Sequence, residues 1–231
     1  MKIIAIGDIH GRNFWKDIIH EPMDQLVFIG DYFDSYGEEF TAQQEIENFK
    51  QVVILKRENP DLVTLLIGNH DYHYLNGVDE QYSRYQDAAA GDINVVLMEA
   101  LDVMQMCYVY DHIVFNHAGI TKTWAKNHNI DLNNLQISIN NKFMEDKAAF
   151  GFVYGINDFD GSDQRQSPIW VRPKALLADK IDGYHQVVGH TRQPTHRIQD
   201  GIAFIDVAGQ VFKMDNADDF NWSNTQLEFK N

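Results

Sequence analysis

A single cysteine, no long apolar run and a shortage of positive charge set the outer bounds of this 231-residue sequence. The lone Cys107 excludes an intrachain disulfide, and its apolar surroundings predict a buried, inert thiol. No apolar stretch approaches the ~18 residues of a membrane span. No basic segment followed by a long apolar run opens the chain, so neither membrane insertion nor secretion is expected, and the cytoplasm is the default compartment. Lysine and arginine number 19 against 34 aspartates and glutamates, giving a formal charge of −15 and a sequence pI near 4.9. Long-range repulsion then argues against a nucleic-acid duplex or an anionic membrane as partner, and two bound divalent cations would still leave the chain acidic. Repeats, low-complexity tracts and linkers are also lacking. The length suits one sizeable core, so a single domain over residues 1–231 is expected.

What is present is a set of short apolar runs that stop at glycine: Lys2 to Gly7, Gln25 to Gly30 and Thr64 to Gly68. Each is too short for a typical helix and rich in β-branched residues, which predicts buried strands. Between the second and third, Thr41 and Gln44 are spaced as a capping box, Ile46, Phe49 and Val53 share a helical face, and Pro60 lies just past the end. With a shorter helix over 13–20, the order is β-α-β-α-β, hence parallel pairing with right-handed crossovers. Residues 72–106 read as helical and aromatic-rich. Strands resume over 107–117 with Asp111 at a turn, and a mostly polar, partly helical region follows from Thr121 to Gln166, with a loop near 158–166. His185–His190, Gly201–Ala208 and Gln210–Asp215 are expected to be strands of a second sheet. The architecture is therefore α/β (α+β), with two β-layers and helices outside.

The strands end in "GDIHG", "GDYFD", "GNHD", "NHAG" and "VVGHTR". Residues i and i+2 of a strand project to the same side, so Asp8 and His10 stand together where the first strand stops. The five ends deliver Asp8, His10, Asp31, Asp34, Asn69, His70, His117 and His190 to one sheet edge. Such a set suits two metal ions bridged by one carboxylate, with Asp31 on the neighbouring strand end as the natural bridge. Carboxylate, imidazole and amide oxygen suit borderline dications, and the absence of thiolates argues against a structural zinc. Two divalent ions are expected as cofactors, Mn²⁺ first, with Fe²⁺ or Zn²⁺ as alternatives.

The order and spacing of these motifs resemble the calcineurin-like metallophosphoesterases, from Asp8 to Arg192. The resemblance implies a four-layer fold of two mixed β-sheets sandwiched by helices. It further implies that Asp8, His10 and Asp31 hold one metal, and Asp31, Asn69, His117 and His190 the other. His70, held by Asp34, resembles the family's general acid, and a hydroxide bridging the ions would attack phosphorus in line. Many members end in G-H-x-H; here "GHTR" puts Arg192 at the last place, which looks more like the phosphoprotein phosphatase and symmetrical dinucleoside tetraphosphatase branch. "NHAGI" is similar to that branch too. The branch usually writes G-D-x-x-D-R-G and L-R-G-N-H-E, whereas this chain has Ser35, Ile67 and Asp71 at those places. Arg172 in "SPIWVRP" resembles the branch's remaining phosphate-binding arginine, with Arg12 and Arg192 as further candidates beside ligand-bearing turns and Asn69 at the phosphate as well as the metal.

The implied function is hydrolysis of phosphomonoesters, with phosphoserine or phosphothreonine proteins, small phosphoesters or nucleotides as substrates. The alternatives are a dinucleoside polyphosphate hydrolase or phosphodiesterase, and an inactive metal-binding interaction module. Bland readings are favoured elsewhere. His20, His73, His112, His128, His185 and His196 are read as exposed or structural, with His73 the one placed to reach substrate. Asp71 is read as a helix cap, Tyr72, Tyr74, Tyr82 and Tyr85 as core packing rather than a base-stacking pocket, and the acidic run at 215–220 as a solvated turn.

Overall fold

In β1 (Ile3–Ile6) alternate side chains serve two different cores, and all four are buried. Ile3 and Ala5 join a cluster shared with the second sheet, while Ile4 and Ile6 face helices on the other side. That double burial is why the run reads as continuously apolar. The computed structural model describes residues 1–76, 84–154, 162–215 and 225–227. Its elements continue as α1 (Trp15–Ile18), β2 (Gln25–Phe28), α2 (Ala42–Glu58), β3 (Val63–Leu66), α3 (Asn69–Asn76), α4 (Ala90–Ala100), β4 (Met104–Gln105), β5 (Tyr108–Tyr110) and β6 (Ile113–Phe115). Then follow α5 (Lys122–Asn127), α6 (Leu135–Glu145), α7 (Pro173–Asp179), β7 (His185–Val188), β8 (His196–Gln199), β9 (Ile202–Phe204), β10 (Val211–Met214) and β11 (Thr225–Leu227).

Two mixed sheets result, in the orders β10-β1-β2-β3-β4 and β11-β8-β9-β7-β6-β5. β1 to β4 run parallel, as the alternating strands and helices require, and β10 closes the edge antiparallel to β1 in the register Ile3↔Met214. In the second sheet β6, β7 and β9 are parallel. Phe115, Val187, Ala203 and Ile205 meet Val27, Ile29 and Leu66 between the sheets. Outside, α2 and α4 cover the first sheet, and Ala175 and Leu176 of α7 cover Val188, Ile202 and Phe204 of the second. Helix, sheet, sheet and helix make the expected four layers.

Three expectations change. Gln210–Asp215 belongs to the first sheet, not the second, because its strand returns antiparallel along β1. Met104–Gln105 is a short strand beside β3 rather than the end of a helical region. The stretch after Thr121 is amphipathic, burying Trp124, Leu135, Ile139, Phe143 and Phe150. Residues 216–220 of the acidic run at 215–220 lie outside the described residues, as do residues 158–161 of the loop expected near 158–166. Among the described residues no helix is long and apolar enough to cross a membrane.

Helix α2 starts as its sequence dictates. The Thr41 hydroxyl accepts from the Gln44 N–H and the Gln44 side chain accepts from the Thr41 N–H, at 3.3 and 2.9 Å. Thr41→Ala should cost about 1 kcal/mol, read as a lower denaturant midpoint with an unchanged slope; no shift would mean that tertiary packing alone fixes this helix end. The inner face of α2 buries Ile46, Phe49 and Val52, with Val53 half-buried, and also two polar groups, Glu45 and Asn48. Asn48 accepts from the Trp15 indole N–H at 3.1 Å and donates to the Arg12 carbonyl at 3.1 Å, which ties the turn after β1 to the helix.

Candidate metal centre

The parallel strands of both sheets deliver their carboxyl ends to one edge, where chain polarity gathers the side chains that follow them. From the first sheet come Asp8 and His10 after β1, Asp31 and Asp34 after β2, and Asn69 and His70 at the start of α3. From the second come His117 after β6 and His190 after β7. Glycines let these ends close up: a β-carbon on Gly30, which sits at φ 107°, would collide with the Gly68 backbone nitrogen, and one on Gly189 would collide with the Asp8 carboxylate.

His10, Asp31, Asp34 and His190 adopt left-handed backbone angles, with φ of 46°, 55°, 63° and 63°. Such strain persists only where the surroundings over-determine it, and here every one of these N–H groups is held. His10 N–H donates to the Asp31 carbonyl (2.9 Å), Asp31 N–H to the Asp71 carboxylate (2.8 Å), Asp34 N–H to Glu45 (3.2 Å) and His190 N–H to the Asp8 carboxylate (3.0 Å). Asp71 also accepts from the N–H groups of Tyr32 and Gly68, at 2.9 and 2.8 Å. It therefore caps α3, as its sequence position suggests, and at the same time clamps the turn that carries Asp31. Burial and the nearby Asp31 charge push its carboxyl up to about 7, against the pull of its backbone bonds.

The imidazoles are oriented from behind. Nδ1 of His10 and of His117 donate to the carbonyls of Phe33 (2.6 Å) and Ile29 (3.0 Å), and Nε2 of His190 faces the Trp170 carbonyl at 3.2 Å. With one nitrogen of each ring committed as a donor, the other presents a lone pair to the centre. His10 Nε2 and His117 Nε2 lie 3.9 and 3.4 Å from Asp31 Oδ2. Asn69 Oδ1 lies 2.9 Å from His117 Nε2 and 2.8 Å from His190 Nδ1. Lone pairs aimed at an amide oxygen and a carboxylate need a cation or an extra proton between them. Among the described residues, two groups of donor atoms are close enough to hold an ion: Asp8, His10 and Asp31, and Asp31, His117 and His190. Asp31 belongs to both, and the donor set fits divalent cations.

The charges agree. Burial would raise the Asp31 carboxyl, but His117, His70 and His10 around it hold it well below the usual range. Burial lowers His117, yet the Asp31 carboxylate outweighs it and carries the ring up to about 9, a proton that a bound metal displaces. Asp8 is pushed well above the usual range by burial and by Asp206, and Asp206 up to about 6 by burial and Asp31. Buried carboxylates raised side by side mark a place that favours positive charge.

Beside this cluster, His70 Nδ1 lies 2.8 Å from Asp34 Oδ2, with the ring 5.2 Å from that of His10. Burial lowers His70, but Asp31 and Asp34 together raise it. Asp34 is in turn held through Oδ1, which accepts from the Tyr74 hydroxyl at 2.5 Å and the Gln86 amide at 3.1 Å, while Glu45 accepts from Gln86 at 2.7 Å. Of the arginines, Arg172 is against the centre, its Nη1 3.3 Å from the His190 carbonyl and 3.2 Å from Thr191 Oγ1. Arg12 instead pairs with the exposed Glu39 at 3.0 Å, and Arg192 stands 3.7 Å from the buried Asp206. His73 is buried among aromatic rings, 5.6 Å from both His70 and Trp170.

Tyr74, Glu45, Gln86, Asp206 and Arg84 belong to this surround without having been picked out by motif. Tyr74 was detectable as i+4 from His70 on one helix. Glu45 was detectable as a carboxylate on the apolar stripe with Phe49 and Val52, and Asp206 as another aspartate just past a strand end. Gln86 and Arg84 lie on a loop that carries no local code. Tyr85 stacks on Tyr74 with centroids 4.8 Å apart and Tyr72 donates to the Lys147 carbonyl; Tyr82 lies outside the described residues.

A family model described as calcineurin-like phosphoesterase matches residues 1–194. Among curated proteins, the chain is 23% identical over 128 residues to the serine/threonine-protein phosphatase 6 catalytic subunit of Drosophila melanogaster, covering 52% of this chain and 40% of that one. It is 26% identical over 242 residues to Shewanella-like protein phosphatase 1 of Plasmodium berghei (strain Anka), covering 85% of this chain and 63% of the relative. The chain thus spans less than the full length of either. Among solved structures, a protein serine/threonine phosphatase from Saccharomyces cerevisiae with similarity to human phosphatase PP5 superposes with a TM-score of 0.54 at 14% identity, covering 88% of this chain and 66% of that one. At that identity the likeness concerns the fold alone.

Proposed function

The chain belongs to the calcineurin-like phosphoesterase family, and on that premise we propose that it hydrolyses phosphomonoesters at a two-metal centre, with phosphoserine or phosphothreonine proteins as the leading substrate class. The observation that carries this reading is the convergence of carboxylate, amide and imidazole lone pairs on Asp31, next to a separate His70–Asp34 pair that a purely structural metal site would not require. In this assignment Asp8, His10 and Asp31 hold one divalent ion, and Asp31, Asn69, His117 and His190 hold the other, with manganese ahead of iron or zinc. When bound, such ions neutralise phosphoryl oxygens and generate a nucleophile at neutral pH.

The protein's own groups do the rest. Asp34, fixed by Tyr74 and Gln86, keeps Nδ1 of His70 engaged and turns Nε2 to the centre, where it protonates the leaving oxygen. Arg172, braced on the His190 carbonyl, is the guanidinium that grips a phosphoryl oxygen in this assignment. Carbonyls behind His10, His117 and His190 keep each ring in one tautomer, so no reorganisation is needed as charge develops. The cytosol is the proposed compartment, in keeping with a single, fully buried thiol.

A second reading, cleavage of a phosphodiester or dinucleoside polyphosphate, is favoured by Ser35 and Ile67, which remove two guanidiniums from the place where a dianion would be gripped. Mn²⁺-dependent turnover of an aryl phosphomonoester, an aryl phosphodiester and a dinucleoside tetraphosphate, measured side by side, separates the two. The monoester is expected to be cleaved with the highest kcat/KM. Preference for either other substrate would transfer the proposal to the second reading, and retained metal with no turnover of any would indicate an idle binding module.

A further inference from the structure

One guanidinium approaches the centre from a segment that no motif marks. The Arg84 Cζ sits 3.2 Å above the centroid of the Tyr36 ring, and that ring meets His10 edge-on at 5.0 Å. Arg84 Nη1 donates to the Asp34 carbonyl at 2.9 Å, and its charge is felt by both His10 and His70. Two residues on, Gln86 binds the Asp34 carboxylate, Glu45 and the Tyr74 hydroxyl, which pins the segment to the turn after β2. Among the described residues no carboxylate forms an ion pair with Arg84, while Arg172 stands across the centre on the His190 side.

We propose that Arg84 is a phosphate-binding residue, gripping a phosphoryl oxygen from the His10 and His70 side while Arg172 grips another from the His190 side. The inference rests on the phosphoesterase reading above and deepens it, since it restores two-armed recognition of a dianion that Ser35 and Ile67 otherwise withhold. With two metal ions bound, a further cation beside them is unfavourable until a phosphate dianion lies between, and the dianion then accepts charge-assisted hydrogen bonds from it. The fork is already oriented: stacking on Tyr36 fixes its plane, the Asp34 carbonyl takes one donor, and the others are left for a ligand. Arg84 also holds a left-handed φ of 74°, a strain of the kind that accompanies positioned functional groups.

Binding of inorganic phosphate to Mn²⁺-loaded protein, measured by calorimetry with metal content determined in parallel, tests this directly. Arg84→Gln should weaken phosphate binding by about tenfold or more, the loss of a charge-assisted hydrogen bond, without changing the metal content. Arg84→Lys, which keeps the stem and charge and serves if the Gln variant does not fold, should lose less affinity for phosphate but raise KM for a monoester more than for a diester. Phosphate affinity within about twofold of wild type in both variants would overturn the inference and leave the phosphoesterase reading standing. A wild-type protein that binds neither metal nor phosphate would overturn both.

Discussion

Asp31→Asn should strip both metal ions from the protein together and lower turnover by about a thousandfold or more. The carboxylate belongs to both groups of donor atoms, so its charge is the one negative contribution that the two ions share. Withdrawing several kcal/mol of charge stabilisation from both corresponds to at least about three orders of magnitude in rate. The substitution is mild for the fold. Asn retains an Oδ1 that can accept the His70 N–H, now at 2.9 Å, and the backbone N–H of residue 31 keeps its bond to Asp71. Metal content after dialysis, by elemental analysis, is the readout. A variant that keeps one full equivalent would show that the ions bind independently and that Asp31 serves only one of them.

His70→Ala should leave metal content intact yet slow the hydrolysis of alkyl phosphates by about 10²- to 10⁴-fold, the usual range for a positioned proton donor. Aryl phosphates with good leaving groups need little protonation, so their rates should fall far less. His70 is next in sequence to Asn69 but does not share its duty. Its ring is committed to Asp34 through Nδ1, and its backbone N–H, which binds Asp31, survives the substitution. A plot of rate against leaving-group pKa is the discriminating measurement. A steeper slope in the variant supports the acid role, and parallel lines would assign His70 to phosphate orientation instead.

Much of this was legible because the decisive pattern is local. Each strand that ends in glycine and an Asp, Asn or His carries its own instruction, and parallel pairing of β1, β2 and β3 brings their carboxyl ends to one edge without further information. The capping box of α2 is equally local. Sheet membership is not. Gln210–Asp215 looks like any other apolar run, and only its antiparallel register on β1 puts it in the first sheet. The two-residue β4 is too short to show periodicity, and it exists because Leu65 and Leu66 offer it a parallel edge. Roles that depend on a partner far along the chain were likewise hidden. Tyr74 reads as core until its hydroxyl is found on Asp34, and the place of Glu45 on the apolar stripe has no stated purpose until it is seen completing the turns at Asp34 and Ser35. Asp71 was readable as a helix cap, whereas its grip on the Asp31 turn spans 40 residues and leaves no mark in either segment.

If a metal pair held around Asp31 makes this chain a phosphoesterase, activity must follow metal occupancy. Chelator-stripped protein, titrated with Mn²⁺ while both bound metal and turnover of an aryl phosphomonoester are followed, tests it most directly. No turnover is expected in the stripped protein, and activity should rise to saturate at two ions per chain. Turnover that survives complete stripping, or two ions bound with every phosphoester left intact, would contradict it.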